Sequence, residues 1–207
     1  MLLMLFFKNN VGNVSNLCHP LSFAFKKSVM IQFLKNNIFF VLLSLVAVYA
    51  IGRYLYKKPD VVNGESAPKI VSTQANGQPF DLSTLRGNYV LLDFWGSWCG
   101  PCIEEAPRLK ALNNKYLGKK FSDGAGFNIV SVGIEKEKTR WLSAIEQLGI
   151  SGFTHISDFQ YLDSPFAKAY GVRVIPTKFL LNTEGVIVGV NQSIEEIEKV
   201  LDSKILK

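Results

Sequence analysis

The sequence predicts an α/β fold of three layers with a mixed central sheet and an N-terminal β-hairpin, preceded by one transmembrane helix. Two observations predict the layers: apolar runs rich in strand formers alternate with segments of helical periodicity, and a hairpin closes the order of elements. A third observation predicts the transmembrane helix, because residues 38–51 read IFFVLLSLVAVYAI and carry no charge.

The apolar segment is expected to cross a membrane as a signal-anchor, residues 36–56. The 17 residues between Lys35 and Arg53 form about 25 Å of helix. A hydrocarbon core is about 30 Å thick, and the two flanking basic side chains can extend to its surfaces. The alternative is a cleaved signal peptide, because Ala50 and Gly52 are small residues suited to cleavage. Basic residues flank both sides, so charge alone barely specifies the orientation.

Residues 1–35 are expected to form a cytoplasmic segment. Met30 begins a short basic lead-in of the kind that opens a signal sequence. We therefore expect translation to start there, with residues 1–29 untranslated or present as a tail.

The positive charge is confined to the first part of the chain. Residues 1–58 hold seven of the 23 Lys and Arg residues and no Asp or Glu, which leaves 16 basic and 17 acidic residues for the rest. The net charge of +6 therefore belongs to the end near the membrane. No nucleic-acid partner is expected.

The polar, proline-bounded stretch 57–66 predicts a linker, and the domain follows over residues 67–207. Asn76-Gly77 predicts a turn between two short strands at residues 70–72 and 79–81. Apolar runs and helical periodicity then predict strand 89–95, helix 99–117, strand 127–133, helix 138–149, helix 162–170, strands 177–181 and 186–190, and a last helix capped by Ser193.

Two of the chain's three cysteines, Cys99 and Cys102, stand in the stretch FWGSWCGPC, after a predicted strand and at the start of a predicted helix. A helix N-terminus favours an anion and so lowers the pKa of a thiol. Cys102 lies one helical turn later and can attack a mixed disulfide held on Cys99. Gly100 and Pro101 tighten the turn, and a proline in the first turn removes no helical hydrogen bond. We predict that Cys99 is the nucleophile and Cys102 the resolving thiol.

A cysteine pair of this spacing has three other common uses in proteins. A zinc site needs about four ligands, and the domain supplies Cys99, Cys102 and His155, so no metal is expected. Haem attachment needs a histidine after the second cysteine, where Ile103 stands. A structural disulfide gains little chain entropy from so short a loop. A redox couple, which needs no cofactor, is the favoured interpretation.

FWGSWCGPC resembles the active-site stretch of the thioredoxin superfamily, and residues 67–207 are most similar to its membrane-anchored TlpA/ResA-like thiol–disulfide oxidoreductases. Asp93 matches the buried acid of the family, Pro107 matches the proline that kinks the active-site helix, and Ile175-Pro176-Thr177 matches the cis-proline loop. The resemblance implies a thioredoxin-like sandwich and a Cys99–Cys102 dithiol–disulfide couple.

The resemblance also implies roles for the neighbours of the cysteines. Asp93 would be a carboxylate whose pKa burial raises, and it would take the proton of Cys102 through a water. Pro176 would follow a cis peptide bond, and the backbone of Ile175 would pair with an extended substrate. Trp98 would cover the thiolate, whereas core packing is the better explanation of Trp95.

Two further ionisable residues are expected to take no part in the chemistry of the site. The family places a glutamate near the cysteines, but Glu135 falls one residue beyond the matching position. Strand alternation would then point its side chain away from the site, and a solvated residue in the charged run EKEK is expected. The alternative is that the strand ends before Glu135, in which case its side chain can still reach the site. His155, in a short apolar stretch, is expected to be a packed or surface residue rather than a ligand or base.

The expected activity is reduction of disulfides in envelope proteins, such as apocytochrome c, outside the cytoplasm. The implied partners are protein thiol or disulfide substrates and a membrane thiol donor of the DsbD/CcdA type. Three alternatives remain. A peroxiredoxin-like peroxidase needs threonine where Gly96 stands, and a copper-delivery protein of the SCO type carries three residues between its cysteines. A non-catalytic binding module would not need both cysteines and Asp93.

Overall fold

A computed structural model describes residues 37–206, except for the side chain of Leu162. The predicted cytoplasmic segment 1–35, with the expected start at Met30, lies outside the described residues.

The described residues fall into two units that divide between Gly52 and Arg53. Helix α1 spans Ile38–Lys57, and none of its residues is buried. Its length and a mean hydropathy of 2.1 suffice to cross a membrane, and it is the one such helix among the described residues.

The second unit alternates strands and helices, as the sequence predicts. The strands are β1 (Val71–Thr73), β2 (Pro79–Asp81), β3 (Asn88–Trp95), β4 (Gly126–Gly133), β5 (Thr154–Ser157), β6 (Thr177–Leu181) and β7 (Ile187–Val190). The helices are α2 (Gly100–Tyr116), α3 (Lys138–Leu148), α4 (Pro165–Ala169) and α5 (Ile194–Asp202), with 3₁₀ turns at Leu82–Leu85 and Tyr161–Asp163.

The central sheet has five strands in the order β5-β4-β3-β6-β7. β3, β4 and β5 are parallel, whereas β6 runs antiparallel to β3 and β7 antiparallel to β6. β1 and β2 form a separate antiparallel hairpin. The carboxyl ends of β3 and β4 and the start of β6 therefore meet at one edge of the sheet.

The two faces of the sheet bury two apolar clusters, which makes three layers. Leu91 and Trp95 of β3 face a cluster that contains both cysteines and residues of α2, α3 and α5. Leu92 and Phe94 face a second cluster, filled from the β1–β2 hairpin and α4. The predicted α/β sandwich with a mixed sheet and an N-terminal hairpin is confirmed.

The sequence-based prediction differs from the structure between α3 and β6. No strand was predicted at Thr154–Ser157, where β5 forms the edge of the sheet. The single helix predicted over 162–170 is a 3₁₀ turn followed by the short helix α4. Ser164 separates the two because its side chain accepts a hydrogen bond from the Ala167 N–H and caps α4.

The end of the stretch predicted as a linker is bonded to the sheet. The Gly64 N–H donates to the Ile187 carbonyl over 2.8 Å, and the Ile187 N–H donates to the Glu65 carbonyl over 2.9 Å. Ser66 forms an isolated antiparallel bridge with Val186. Residues 64–66 thus extend the β7 side of the domain.

Candidate active site

The cysteine pair occupies the junction of β3 and α2. Cys99 is the N-cap of α2, and its Sγ accepts a hydrogen bond from the Cys102 N–H over 3.3 Å. The structure joins Cys99 and Cys102 in a disulfide with the two Cα atoms 5.3 Å apart. Pro101 lies in the first turn, as predicted. A thiolate on Cys99 would receive the same N–H and the positive end of the helix dipole.

Asp93 lies in the middle of β3, on the face that carries the cysteines. Strand alternation places it with Leu91 and Trp95, which pack in the cysteine-containing cluster. Asp93 is 5% exposed, and its Oδ1 has no hydrogen-bond partner among the described residues. Burial raises the pKa of Asp93 to about 7, an effect that Lys178 opposes and Glu105 reinforces. The carboxyl can therefore gain or lose a proton near neutral pH.

Glu135 corrects the prediction of a solvated side chain. It is 2% exposed, and its carboxylate accepts hydrogen bonds from the Ser97 N–H and, over 3.1 Å, from the Ser97 hydroxyl. Strand alternation does not extend to Glu135 because β4 ends at Gly133, two residues earlier. Burial raises the pKa of Glu135, although the bonds from Ser97 and the charge of Arg140 oppose this.

The two tryptophans beside the cysteines differ in exposure. Trp98 is 39% exposed, and its indole N–H donates to the Ile134 carbonyl over 2.8 Å. Its ring centroid lies 5.1 Å from that of Tyr161, over which the Lys136 Nζ stands at 4.7 Å. Trp95 is buried in the core, as predicted. Trp98 and Tyr161 thus form an aromatic wall beside the active-site turn.

The cis-proline loop lies beside the same turn. The Ile175–Pro176 peptide bond is cis, and the Thr177 hydroxyl donates to the Val174 carbonyl over 2.7 Å. Ile175 packs against the cluster that contains both cysteines. Among the described residues, no hydrogen bond uses the backbone N–H or carbonyl of Ile175.

Gly96 stands where the loop and the turn approach each other. A Cβ there would lie 2.7 Å from Trp98 Nε1 and 3.2 Å from Ile175 Cδ1. A threonine, which the peroxidase alternative requires at this position, would force Trp98 out of its place.

His155 is packed, as expected. It is 4% exposed, its Nε2 bonds to the Ile150 carbonyl over 2.8 Å, and its ring stacks on Phe153. Burial lowers the pKa of His155, so the ring is neutral. Within residues 37–206, no group of three or more His, Cys, Asp or Glu side chains is placed to hold a metal ion.

Comparison with known proteins decides the family. The Redoxin family model matches residues 62–205. The chain belongs to the Redoxin family. Thiol-disulfide oxidoreductase ResA of Bacillus subtilis is 34% identical over 70% of this chain and 79% of its own length. ResA of Geobacillus kaustophilus is 32% identical over 82% of this chain and 94% of its own length.

Solved structures agree with this membership. The thioredoxin domain of a thiol-disulfide oxidoreductase from Bacteroides vulgatus matches with a TM-score of 0.61 and 26% identity, over 69% of this chain and 99% of that domain. A thiol-disulfide oxidoreductase from Bacteroides fragilis matches with a TM-score of 0.59 and 29% identity, over 67% of this chain and 98% of its own. This Redoxin-family chain is a TlpA/ResA-like thiol–disulfide oxidoreductase of the thioredoxin superfamily.

Three polar residues of the site were not singled out from the sequence. Ser97 donates hydrogen bonds to Glu135, while Glu105 and Lys178 form a part-buried ion pair near Asp93. A lysine inside the otherwise apolar strand TKFLL was a usable signal, because a charge in a buried strand requires a partner. Its partner lies 73 residues away in the sequence and has no local signature.

Proposed function

We propose that this protein reduces disulfides of other proteins outside the cytoplasm through the Cys99/Cys102 couple. The observation that carries the proposal is the placement of Cys99 at the N-cap of α2, with Cys102 bonded to it and Asp93 buried on the same face of the sheet. This arrangement supplies a stabilised thiolate, a second thiol within reach and a group able to take a proton.

The exchange takes two steps. The Cys99 thiolate attacks one sulfur of the target disulfide, forms a mixed disulfide and releases the other sulfur as a thiolate, which takes up a proton. The Cys102 thiolate then attacks Cys99 Sγ, and the second target sulfur leaves as a thiolate and is protonated. Two electrons pass to the target, and the enzyme ends as the Cys99–Cys102 disulfide.

Asp93 acts in the second step. Cys102 must lose its proton before it attacks, and Asp93 accepts that proton through a water. The carboxyl suits this role because it is buried, lacks a partner at Oδ1 and has a pKa of about 7. After the attack, the proton returns to the leaving target thiolate.

The substrate segment lies against the cis-proline loop in an extended form. The unbonded backbone N–H and carbonyl of Ile175 are free to pair with it as an added strand. Pro176 and Thr177 fix the loop, and Trp98 covers the reacting sulfurs. Gly100 and Pro101 keep the turn tight.

The protein is anchored by the segment 36–56, with residues 1–35 cytoplasmic, the linker 57–66 beyond the membrane, and the domain 67–207 on the extracytoplasmic side. The exposed apolar helix α1 supports the anchor. Envelope proteins such as apocytochrome c are the proposed targets. A reductase outside the cytoplasm needs a supply of electrons, which a membrane dithiol relay of the DsbD/CcdA type would provide.

Reduction of insulin disulfides by the detergent-solubilised full chain tests the activity. The wild type is expected to reduce insulin, whereas Cys99→Ser abolishes the reaction. Cys102→Ser is expected to stop at a mixed disulfide on Cys99, and recovering that adduct from envelope extracts identifies the substrate. An inactive wild type contradicts the proposal, and a fully active Cys99→Ser contradicts the assignment of the nucleophile. Titration in glutathione buffers gives the potential and so the direction of electron flow.

The orientation has its own test. Alkaline phosphatase fused after Lys207 folds only where its disulfides can form, so the fusion is expected to be active in intact cells. Activity of a fused cytoplasmic reporter instead would contradict the proposed side of the membrane.

A further inference from the structure

A lysine is buried in the central sheet directly beside Asp93. Lys178 of β6 and Asp93 of β3 are cross-strand partners in the antiparallel register, so their side chains lie on the same face. Lys178 is 6% exposed, little more than Asp93. A buried ammonium group is strongly unfavourable unless a carboxylate compensates its charge.

The compensating carboxylate comes from the active-site helix. Lys178 Nζ lies 2.5 Å from Glu105 Oε2, in an ion pair whose side chains are 8% and 20% exposed. Glu105 follows Cys102 by three residues in α2, which is about one helical turn. The ion pair therefore links β6, the strand beside Asp93, to α2, the helix that carries the resolving cysteine.

This pairing directs the lysine away from Asp93. No hydrogen bond joins Lys178 to Asp93 among the described residues, and Asp93 Oδ1 remains without a partner. On the other side of Asp93, β4 presents Ser131, which is buried and uncharged. The charged groups that act on Asp93 are thus Lys178 from β6 and Glu105 from α2, with opposite effects on its pKa.

We propose that Lys178 is a positioning residue of this site: its ion pair with Glu105 keeps its charge beside Asp93 without bonding to it, which leaves the Asp93 carboxyl free to exchange the proton of Cys102. The inference rests on the proposed role of Asp93 as proton acceptor. If Lys178 were bonded to Asp93 itself, the carboxylate would stay charged. If the lysine were absent, the carboxyl would stay protonated. With Lys178 paired to Glu105, the protonation of Asp93 lies between these two extremes.

The test is a carbon-13 NMR titration of the aspartate carboxyl groups in the oxidised full chain in detergent micelles. The disulfide keeps both cysteines from titrating, so Asp93 is observed without them. Its signal is assigned by its loss in Asp93→Asn. Lys178→Gln is expected to raise the Asp93 midpoint by about one pH unit or more, and Glu105→Gln to lower it by a similar amount.

Two variants serve as controls. Lys178→Arg keeps the charge and is expected to hold the midpoint close to that of the wild type. Arg108 lies on α2, like Glu105, and Arg108→Gln removes its exposed ion pair with Glu195 of α5, so this variant is expected to leave the midpoint unchanged. If Lys178→Gln does not fold, the shift in Glu105→Gln and the constancy in Lys178→Arg decide the question.

An unchanged midpoint in Glu105→Gln, or shifts of the same sign in Glu105→Gln and Lys178→Gln, would overturn the inference. In the reduced protein, the midpoint of the pH dependence of kcat/KM for insulin reduction is expected to move with the Asp93 midpoint. A chain that shows the opposed NMR shifts without reducing insulin would refute the proposed function and leave the effect of Lys178 on Asp93 standing. Insulin reduction without the NMR shifts would overturn the inference about Lys178 and leave the proposed function standing.

Discussion

Asp93 and Glu135 are both buried carboxyls near the cysteine pair, but their hydrogen bonding differs. Glu135 receives two hydrogen bonds from Ser97, whereas Asp93 Oδ1 receives none among the described residues. Burial raises the pKa of both, but only at Glu135 do donated hydrogen bonds oppose the rise. One carboxyl is used to hold the backbone before Cys99, and the other remains available for proton transfer.

The difference shows that burial alone does not define the role of an acid. A carboxylate with satisfied oxygens stabilises the loop that bonds to it, because breaking those bonds leaves a buried N–H without a partner. A carboxyl without a partner at one oxygen destabilises the fold when it is charged. Replacing Asp93 and replacing Glu135 should therefore change the stability of the fold in opposite directions.

The largest effect is expected for the stability of Asp93→Asn. Asp93 titrates near 3.8 when unfolded and near 7 when folded, so its protonated form favours folding at low pH and that contribution is lost as the pH rises to 7. A shift of about three pH units corresponds to about 4 kcal/mol. Asn has no such loss, so the variant is expected to exceed the wild type in stability at pH 8 by up to this amount, with little difference near pH 4. Denaturant unfolding of the oxidised chain measures it.

Asp123→Asn is a control in which the expected change of stability at pH 8 has the opposite sign. Hydrogen bonds from Lys204 and Tyr89 lower the pKa of Asp123, so its charged form stabilises the fold above the pKa of the unfolded chain. This variant is expected to lose stability at pH 8 and to match the wild type at low pH. The comparison fails if Asp93→Asn gains no more at pH 8 than at pH 4.

The second effect is on the rate at which the mixed disulfide is released. Under the proposed role of Asp93 as acceptor of the Cys102 proton, release of the mixed disulfide is expected to slow about 100-fold at pH 7 in Asp93→Asn, the low end for general-base catalysis. Glu135→Gln retains an oxygen that can accept from the Ser97 N–H, and its rate is expected to fall less than about tenfold. Stopped-flow measurement of target thiol release separates the two. Equal losses of rate in Asp93→Asn and Glu135→Gln would contradict the separate roles assigned to the two acids.

The features that the sequence predicted are those whose chemistry depends on spacing along the chain. Cys99 and Cys102 share a helix turn, and Asp93 belongs to the same run of residues. Local pattern could not place Glu135, because alternation applies only while a strand continues and β4 ends at Gly133. Likewise, β5 was missed because THIS is a four-residue stretch with little periodicity, and it becomes a strand by pairing with β4.

The third effect concerns the loop that Glu135 holds. Glu135→Ala leaves the buried Ser97 N–H without its acceptor and is expected to lower the free energy of unfolding by about 2 kcal/mol at pH 7. Glu135→Gln keeps that acceptor and is expected to lose less than half as much. Thermal unfolding of the oxidised chain measures both. A gain of stability in Glu135→Ala, like the one expected for Asp93→Asn, would show that the two acids are equivalent.

The smallest effect is expected for Ser97→Ala, which removes the hydroxyl bond to Glu135 and keeps the one from the backbone N–H. The loss at pH 7 is expected to be about 1 kcal/mol. The lost donor favoured the charged form, so the pKa of Glu135 rises further in the variant. Because a raised folded pKa means that stability falls as the pH rises above the unfolded value, 4.5, this fall should be steeper than in the wild type. Unfolding curves between pH 4 and pH 8 test the slope, and parallel curves would mean that the hydroxyl does not act on the carboxylate.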